Sequence, residues 1–367
     1  MIPLFMDTDI LIVGAGPAGS VTARYAAEQG LKVTIIEQRP EVGLPVRCGE
    51  LMPSVEEIVS MFPNLEDAES LFDIPYGLHR RAMEGIKLVD PKERVYEFPW
   101  TGYTTDRDRF DQYLAGKAQE AGAELITSCR FSDASSGVAK TSMGDISYKV
   151  IIGADGPGSR TAKALGLPAN RHPYPAVTSQ ADGDFGPYVQ MFFGGIAPGA
   201  YGWIIPKDTE ANIGVGFSPK FAQGSLSEYM DRFVQMRGLT PTRKLEGKFV
   251  PSEGPVAKTF TEDGLLVGDS AGFVIPVNGG GLPLAMIGGR ICAQAAVDKI
   301  TKGVSLDHYQ PAWDRVLGDP LRLAAKNKRM ADRFAFHSDF TTGFCMRFLG
   351  TRRMGNLIRC KRLFFGN

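Results

Sequence analysis

The chain has 367 residues, of which 43% are hydrophobic and 22% are charged. This composition is typical of an ordinary soluble globular protein, and the length predicts two lobes rather than one domain. Lysine plus arginine equals aspartate plus glutamate at 41 each. The charge therefore does not indicate a polyanionic partner, and we expect no nucleic-acid binding.

Cysteine usage and the N-terminus predict the compartment. The five cysteines are odd in number and include no CxxC pair, a pattern that favours neither a disulfide framework nor a metal site. The chain does not open on a basic segment with a long apolar run, and no stretch reaches the roughly 18 apolar residues that cross a bilayer. We therefore expect a cytoplasmic protein.

The first predicted elements form a βαβ unit. Residues 9–13 are a short apolar run that stops at glycine, as buried parallel strands do. An alanine-rich helix is predicted over 18–29, ending at Gly30, and the next strand over 32–36. Strands joined in this way are parallel, with a right-handed crossover.

Further along the chain the pattern changes twice. The proline-rich stretch from about 40 to 104 shows no clear period and is expected to be irregular. Strands become frequent between 174 and 255, which predicts a mainly antiparallel lobe. The other predicted elements are helices over 105–121, 225–236 and 281–299, strands over 123–127, 150–153, 189–193, 201–205, 211–217 and 264–268, and a helical segment from 307 onward.

The most informative motif directly follows the first predicted strand. It reads Gly14-Ala-Gly16-Pro-Ala-Gly19. The first glycine allows a tight turn, the second lets the backbone approach a pyrophosphate at the helix N-terminus, and the third lets helix and strand pack closely. Glu37 ends the second strand, where its carboxylate can accept hydrogen bonds from ribose hydroxyls. The pattern predicts an adenine dinucleotide site, and a glycine-rich turn without a ligand is the alternative.

A second segment distinguishes FAD from NAD. Residues 265–272, with Pro276 and the glycines at 279–281 beyond them, resemble the ribityl-binding segment of the glutathione-reductase-like flavoproteins. Asp269 can bind a ribityl hydroxyl, and the helix N-terminus near Gly281 would face the flavin pyrimidine. Read alone, the segment is a strand, a turn and a helix with an aspartate N-cap. The two segments together predict FAD, bound non-covalently.

The predicted fold class is α/β. We expect a Rossmann-type FAD-binding domain, an inserted mainly antiparallel β lobe that binds substrate, and a helical C-terminal segment. The predicted boundaries are 1–173 together with 256–300, 174–255, and 301–367.

Two further stretches resemble the para-hydroxybenzoate hydroxylase branch of the FAD proteins. One is 153–160, an Asp-Gly motif around Asp155, and the other is the helix start at 105–111. The resemblance implies that Arg107 reaches the flavin. Either Arg107 or Arg109 is alternatively a solvated charge on a helix.

Two signature stretches, 45–50 (PVRCGE) and 201–207 (YGWIIPK), resemble those of the geranylgeranyl reductase family. That family reduces isoprenoid double bonds in archaeal membrane lipids and in the chlorophyll side chain, and the likeness covers about residues 8–300. It implies that Tyr201 and Trp203 lie on the substrate side of the isoalloxazine and that Cys48 contacts the flavin. These three are the candidate catalytic residues. The cofactor contacts expected from all of these motifs are Gly14, Gly16, Ala18, Gly19, Glu37, Arg47, Cys48, Gly49, Arg107, Arg130, Asp155, Gly268, Asp269, Pro276, Gly280, Gly281 and Leu282.

These aromatic and thiol side chains also have structural interpretations. Tyr201 and Trp203 are alternatively a cross-strand pair that fills a core. Cys48 is alternatively a small buried hydrophobe.

The resemblance leads to a predicted reaction. Hydride from reduced FAD would add to an isolated alkene of a prenyl lipid, with a proton delivered to the neighbouring carbon and water excluded. An apolar tunnel lined by Phe192, Phe193, Trp203 and Ile205 would hold the chain. The electron donor stays open between ferredoxin or another donor protein, NADPH and a reduced deazaflavin, because the sequence has no second GxGxxG. An aromatic-ring monooxygenase and a non-catalytic electron-transfer flavoprotein are the alternative functions.

The stretch 340–367 holds six basic residues and no acidic one, interleaved with apolar side chains. Such a segment can lie on the anionic inner face of the cell membrane, or it can pack as a terminal helix with a solvated basic face. Both interpretations stay open. The basic residues are Arg347, Arg352, Arg353, Arg359, Lys361 and Arg362.

Overall fold

The computed structural model describes residues 6–364. In chain order, the first half holds β1 (Met6–Val13), α1 (Pro17–Ala27), β2 (Val33–Ile36), β3 (Leu51–Pro53), α2 (Val55–Met61), α3 (Ala68–Leu71), β4 (His79–Val89), β5 (Val95–Thr105), α4 (Arg107–Glu120), β6 (Glu124–Ile126), β7 (Phe131–Ser135), β8 (Val138–Thr141), β9 (Gly144–Gly153) and α5 (Arg160–Ala164). The second half holds β10 (Tyr174–Asp182), β11 (Tyr188–Phe192), β12 (Gly202–Pro206), β13 (Glu210–Gly216), α6 (Leu226–Arg237), β14 (Glu246–Val250), β15 (Gly264–Leu266), α7 (Leu282–Lys302), α8 (Tyr309–Trp313), α9 (Asp319–Phe334) and α10 (Asp339–Ile358).

The first sheet is built around the predicted βαβ unit, which is confirmed. Its strands run in the order β6-β2-β1-β9-β8-β7, and β15 pairs in parallel with β9. β1 lies parallel to β2, with Ile10 opposite Val33. Every residue of β2 is buried, as expected for a strand that is covered on both faces. α1 packs against α4 and α7 and closes the largest buried core of the protein.

The expectation that residues 40–104 are irregular is wrong. They include β4 and most of β5, each eleven residues long, and β3 before them. Within β5 the side chains of Tyr96, Phe98 and Trp100 are buried and alternate with exposed ones, which is the period of a strand. Pro99 hides this pattern, because proline normally argues against a strand, and here it pairs with Gly85 next to a register shift.

The second sheet has eight strands in the order β14-β10-β13-β12-β11-β4-β5-β3. The antiparallel pairing predicted within 174–255 is confirmed, for example by Val177 opposite Val215. β4 joins this block in parallel to β11, so strands from before residue 106 complete the sheet. The domain boundaries at 173, 255 and 300 stay predictions.

The predicted C-terminal helical segment is confirmed as α8, α9 and α10. α10 breaks at Gly350, whose φ of 65° and ψ of 173° are not helical. It packs on β5, with Met346, Met354 and Ile358 buried against the second sheet. Between residues 6 and 364, no helix is both long and apolar enough to span a membrane.

Candidate active site

A cavity of about 930 Å³ is lined by residues from both sheets. It extends from the turn after β1 to apolar residues of β11 and β12. Most of the predicted site residues line it, namely Gly14, Gly16, Ala18, Glu37, Arg47, Cys48, Gly49, Arg107, Arg130, Asp155, Tyr201, Trp203, Asp269, Pro276, Gly280, Gly281 and Leu282. Gly19 and Gly268 lie behind this wall and shape it.

The glycine turn after β1 has the geometry of a phosphate cradle. A Cβ on Gly19 would lie 2.0 Å from the Gly14 carbonyl oxygen, so only glycine lets α1 approach the turn so closely. No described atom lies within 4 Å of the place that a Cβ on Gly16 would take, so its backbone borders open space. Among the described residues, no side chain caps the N-terminus of α1. Its N–H groups and dipole therefore favour an anion at this place.

Glu37 is held beside this turn by two backbone N–H groups. Ala15 donates to its Oε2 and Arg39 donates to its Oε1, each at 3.0 Å. A carboxylate oxygen accepts more than one hydrogen bond, so both oxygens keep a lone pair for a ribose hydroxyl. The arrangement supports the predicted role of Glu37, which stays a prediction.

The turn after β15 meets the start of α1. A Cβ on Gly268 would lie only 2.8 Å from the Ala18 Cβ, so the two segments that predict FAD form one edge of the cavity. Next to this turn, Asp269 Oδ2 pairs with Lys248 Nζ at 3.0 Å, and the carboxylate raises the pKa of the Lys248 ammonium. Gly281 is the N-cap of α7, and no side chain of the described residues caps that helix.

The other end of the cavity is apolar, and its two predicted aromatic residues are held in place. The Tyr201 hydroxyl donates to the Asn278 carbonyl, and burial raises the pKa of the phenol, so it stays protonated at neutral pH. Trp203 Nε1 donates to Asn212 Oδ1 at 2.8 Å, and its ring lies so close to Gly214 that a Cβ there would be 2.1 Å from Cζ2. The apolar neighbours on the cavity wall are Leu51, Ile86, Trp100, Val189, Met191, Phe193, Ile205 and Ile358.

Comparison with known proteins shows which families the sequence matches. Residues 12–60 match the NAD(P)-binding Rossmann-like domain, and residues 174–248 match the geranylgeranyl reductase catalytic domain. A digeranylgeranylglycerophospholipid reductase of Methanocaldococcus jannaschii is 32% identical over 355 residues, which cover 89% of this chain and 87% of the relative. One of Methanosarcina acetivorans is 33% identical, over 86% of this chain and 83% of the relative.

The chain belongs to the geranylgeranyl reductase family. A solved structure agrees with this: a geranylgeranyl bacteriochlorophyll reductase-like protein of Thermoplasma acidophilum superimposes with a TM-score of 0.82 at 26% identity, over 96% of this chain and 92% of that one. A flavin-dependent brominase shares the fold, with a TM-score of 0.72 at 16% identity. The predicted α/β fold with a Rossmann-type FAD-binding domain is thereby confirmed.

The residues present fit FAD. The match at 12–60 is to a family described as NAD(P)-binding, and the glycine turn alone suits either dinucleotide. Two features extend the cradle beyond one dinucleotide turn: the Gly268–Asp269 turn against Ala18, and the uncapped N-terminus of α7. A flavin ring would place its pyrimidine at that helix end, where the dipole favours negative charge.

Arg107 and Cys48 form the junction between the two ends of the cavity. The Arg107 guanidinium makes a two-pronged ion pair with Asp111, at 2.9 and 3.0 Å. Burial disfavours its charge, but the Asp111 carboxylate outweighs burial and raises the pKa of Arg107, which stays charged. The half-buried Cys48 is a second neighbour that raises the pKa of Arg107. Arg107 is therefore not a solvated surface charge, which was the alternative that the sequence left open.

Two predicted cofactor residues have side chains engaged elsewhere, and a third is exposed. The Asp155 carboxylate accepts from Ser159 Oγ at 2.6 Å and from the Arg160 N–H at 2.8 Å, which orders the start of α5. Arg47 pairs with Glu246 at 3.6 Å, and the Arg130 side chain is exposed. All three line the cavity, and their cofactor roles stay predictions.

The expectation that Phe192 lines the apolar tunnel is wrong. Its side chain is buried on the opposite face of the second sheet, with its ring 5.6 Å from that of Phe233. The reason is the period of the strand, because neighbouring residues point to opposite faces. Phe193, Trp203 and Ile205, which were predicted with it, do line the cavity.

Sequence reasoning missed four polar residues of the site region: Glu50, Lys207, Asn212 and Lys248. Two signals were available for the first three. Glu50 and Lys207 end the two signature stretches, and Asn212 is a polar residue directly before the apolar run 213–216 of its strand. Lys248 gave no signal, because its pairing with Asp269 depends on how β14 lies across the turn after β15.

Proposed function

We propose that this protein is an FAD-dependent reductase that saturates the isoprenoid C=C bonds of geranylgeranyl chains in an archaeal membrane lipid precursor or a prenyl diphosphate. One observation carries the proposal: a single cavity joins a dinucleotide cradle to an apolar wall. Apolar pockets with few polar groups suit a hydrocarbon ligand. The archaeal relatives at 32 and 33% identity carry the name digeranylgeranylglycerophospholipid reductase, which supports this substrate class.

The chemistry divides between the cofactor and the protein. Reduced FAD, when bound, supplies the hydride. The protein residues must orient the chain, exclude water and deliver a proton to the neighbouring carbon. We assign proton delivery to Cys48 Sγ, because the other two predicted catalytic groups are committed elsewhere. The Tyr201 hydroxyl donates to Asn278 and the Trp203 N–H donates to Asn212, so both act as fixed walls.

The electron donor is proposed to be a ferredoxin, NADPH or a reduced deazaflavin. The sequence has one GxGxxG, at 14–19, and the FAD cradle uses it. A donor would therefore reach the flavin without a second dinucleotide cradle of this type. Supplying each donor separately to the anaerobic FAD-loaded protein and following flavin reduction would identify it.

Activity is tested by multiple turnover. The FAD-loaded protein is kept reduced with dithionite under anaerobic conditions and incubated with a digeranylgeranyl glycerophospholipid, and the extracted lipid is analysed by mass spectrometry. We expect a series of products, each with two more hydrogen atoms per reduced bond. An unchanged lipid, with the flavin reduced and bound, would contradict the proposal.

We also propose that the protein collects its substrate at a membrane surface through α10. Phe340, Phe344 and Phe348 are spaced four residues apart, and 73%, 62% and 63% of their surfaces are exposed. Side chains at this spacing share one face of a helix. The inner face of α10 packs on the second sheet, and Ile358 at its end lines the cavity. The exposed face therefore belongs to a helix that borders the proposed substrate site.

Part of the basic segment is not available for such a contact. Arg359 is bound to Glu57, with Nε 2.7 Å from Oε2, and Lys361 donates to Ser60 at 2.7 Å. Arg347, Arg352, Arg353 and Arg362 are exposed, and Phe365 lies outside the described residues. Four basic residues near an anionic surface contribute about 1 kcal/mol each at most, and each phenyl ring that is fully buried adds roughly 1.5–3 kcal/mol.

Vesicle binding tests this contact. A triple Phe340→Ser, Phe344→Ser, Phe348→Ser variant should lose co-sedimentation with anionic vesicles, because it loses the exposed apolar face. Tyr76→Ser, which changes an aromatic side chain that is 85% exposed on another part of the surface, is the matched control. Vesicle binding by the triple variant equal to that of the control would contradict the membrane contact.

A further inference from the structure

A buried polar network lies between the Cys48 loop and the second sheet. Its central residues are Glu50, Lys207 and Asn212, which are 2%, 1% and 0% exposed. Glu50 Oε2 accepts from Lys207 Nζ at 2.8 Å and from Asn212 Nδ2 at 2.9 Å. Removing two charges from water is unfavourable, and a buried ion pair adds little net stability over apolar side chains. The network therefore calls for a role other than stability.

Asn212 connects the Cys48 loop to the apolar end of the cavity. Its Nδ2 donates to the Cys48 carbonyl at 2.8 Å as well as to Glu50. Its Oδ1 accepts from Trp203 Nε1 and from Thr178 Oγ1, both at 2.8 Å. With two donors and two acceptor positions in use, this side-chain amide has one orientation. The backbone of the Cys48 loop is thereby fixed relative to the Trp203 indole.

Glu50 holds Cys48 through its backbone as well. Its φ of 60° lies in the left-handed region, which a non-glycine residue rarely adopts without a constraint from its surroundings. In this conformation the Glu50 N–H lies 3.2 Å from Cys48 Sγ and donates to it. The side chain supplies the constraint, because Glu50 Oε1 accepts from the Arg107 N–H at 3.1 Å while Oε2 binds the network.

The Glu50 side chain is saturated with donors. Besides Lys207 and Asn212, Gln180 Nε2 donates to Oε2 at 2.7 Å. Lys207 in turn pairs with Asp106 at 2.8 Å, directly before Arg107 at the start of α4. Cys48 in turn contributes to the raised pKa of two charged neighbours, Arg107 and Lys248. A neutral side chain of the same shape at position 50 would put an N–H₂ group against these donors.

We propose that Glu50 is a positioning residue for the reaction: it fixes the Cys48 sulfur and, through Asn212, the Trp203 wall relative to the flavin. The proposal rests on the proposed function for its kinetic consequence. The fixed geometry of the sulfur is open to measurement without turnover. Failure of the two ideas is therefore distinguishable.

The test compares Glu50→Gln, a Glu50→Gln Lys207→Met double variant and wild type. Asp90→Asn is the matched control, because Asp90 is also 2% exposed and its carboxylate accepts backbone N–H groups of Lys92 and Arg94. Glu50→Gln should lower kcat about 100-fold, as a misplacement of about 1 Å does, with little change in KM. Alkylation of Cys48 by iodoacetamide, measured by mass spectrometry on the peptide that contains Cys48, should be faster in Glu50→Gln than in wild type, because Glu50 no longer fixes the sulfur.

The double variant separates positioning from stability. Removing both charges leaves no unpaired ion, because Asp106 keeps its pair with Arg80 at 3.3 Å. The free energy of unfolding should therefore return toward that of wild type. We expect kcat to stay low and Cys48 alkylation to stay fast. Recovery of kcat together with stability, alkylation no faster than in wild type, or a double variant that does not fold would each overturn the proposal. A wild-type protein without reductase activity, but with Cys48 alkylation faster in Glu50→Gln, would reject the proposed function and keep the positioning.

Discussion

Replacing Glu37 by alanine is expected to weaken FAD binding strongly and to change the fold little. The carboxylate receives N–H groups from Ala15 and Arg39, each at 3.0 Å, and keeps a lone pair on each oxygen for the ribose. Hydrogen bonds to a charged group contribute about 1.5–3 kcal/mol each. The loss of one such bond to FAD raises Kd roughly 10- to 150-fold. Glu37 itself lines the cavity, so water can take the place of its carboxylate and accept from the two backbone N–H groups.

The same change has a consequence for stability. At free FAD about 100 times the wild-type Kd, binding stabilises the folded protein by about 2.7 kcal/mol. If Kd rises about 100-fold in the variant, the same FAD concentration contributes only about 0.4 kcal/mol. Stability without FAD should be nearly equal in the two proteins.

Flavin fluorescence titration of the apoprotein gives Kd, and urea unfolding with and without FAD gives the stabilisation. Glu28→Ala is the control, because Glu28 lies at the end of α1 in an exposed pair with Arg24 at 2.8 Å. A Glu37→Ala variant that binds FAD as tightly as the Glu28→Ala control would refute the placement of the ribose at Glu37.

Three further changes test other parts of the site. Gly19→Ala would place a Cβ 2.0 Å from the Gly14 carbonyl oxygen and should abolish FAD retention, whereas Gly116→Ala, with no described atom within 4 Å, should keep the flavin absorbance. Burial lowers the pKa of Lys207, but the carboxylates that it pairs with outweigh burial and raise the pKa above 10.5. The stability that the charged Lys207 contributes is therefore fully present below pH 10.5. It is lost as the pH rises through the raised pKa. Lys207→Met should therefore cost about 3–5 kcal/mol in urea unfolding at neutral pH and remove that alkaline loss; an unchanged pH profile would contradict the pairing. Cys48→Ser should keep FAD bound and lower turnover about 100-fold, and a wild-type rate would reduce Cys48 to a packing residue.

The sequence predicted the dinucleotide end of the site because its chemistry is local. The glycine turn, the strand before it and Glu37 are close together in the sequence. The structure confirms the steric need for glycine at Gly14 and Gly19, where a Cβ would collide with a backbone carbonyl oxygen. The turn at Gly268 was also found from its own residues. Its contact with Ala18 was not needed to recognise it.

Long-range pairing limited the rest of the prediction. β4 and β5 were missed because Pro99 interrupts the alternation and because the second partner of β4, after β5, is β11, about a hundred residues away. Phe192 was assigned to the wrong face because a strand's register was not known at the sequence level. The polar network around Glu50 depends on four elements at once, so no single stretch of sequence predicts it.

The most direct test of the central claim is a single-turnover experiment that follows flavin and lipid together. The FAD-loaded protein is reduced anaerobically, freed of excess reductant and mixed with a geranylgeranyl lipid. We expect the oxidised flavin spectrum to return as double bonds disappear. One flavin should be oxidised for each bond reduced, because each reduction consumes the two electrons that one reduced FAD holds. Flavin that stays reduced in the presence of the lipid, or that reoxidises without loss of a double bond, would contradict the claim.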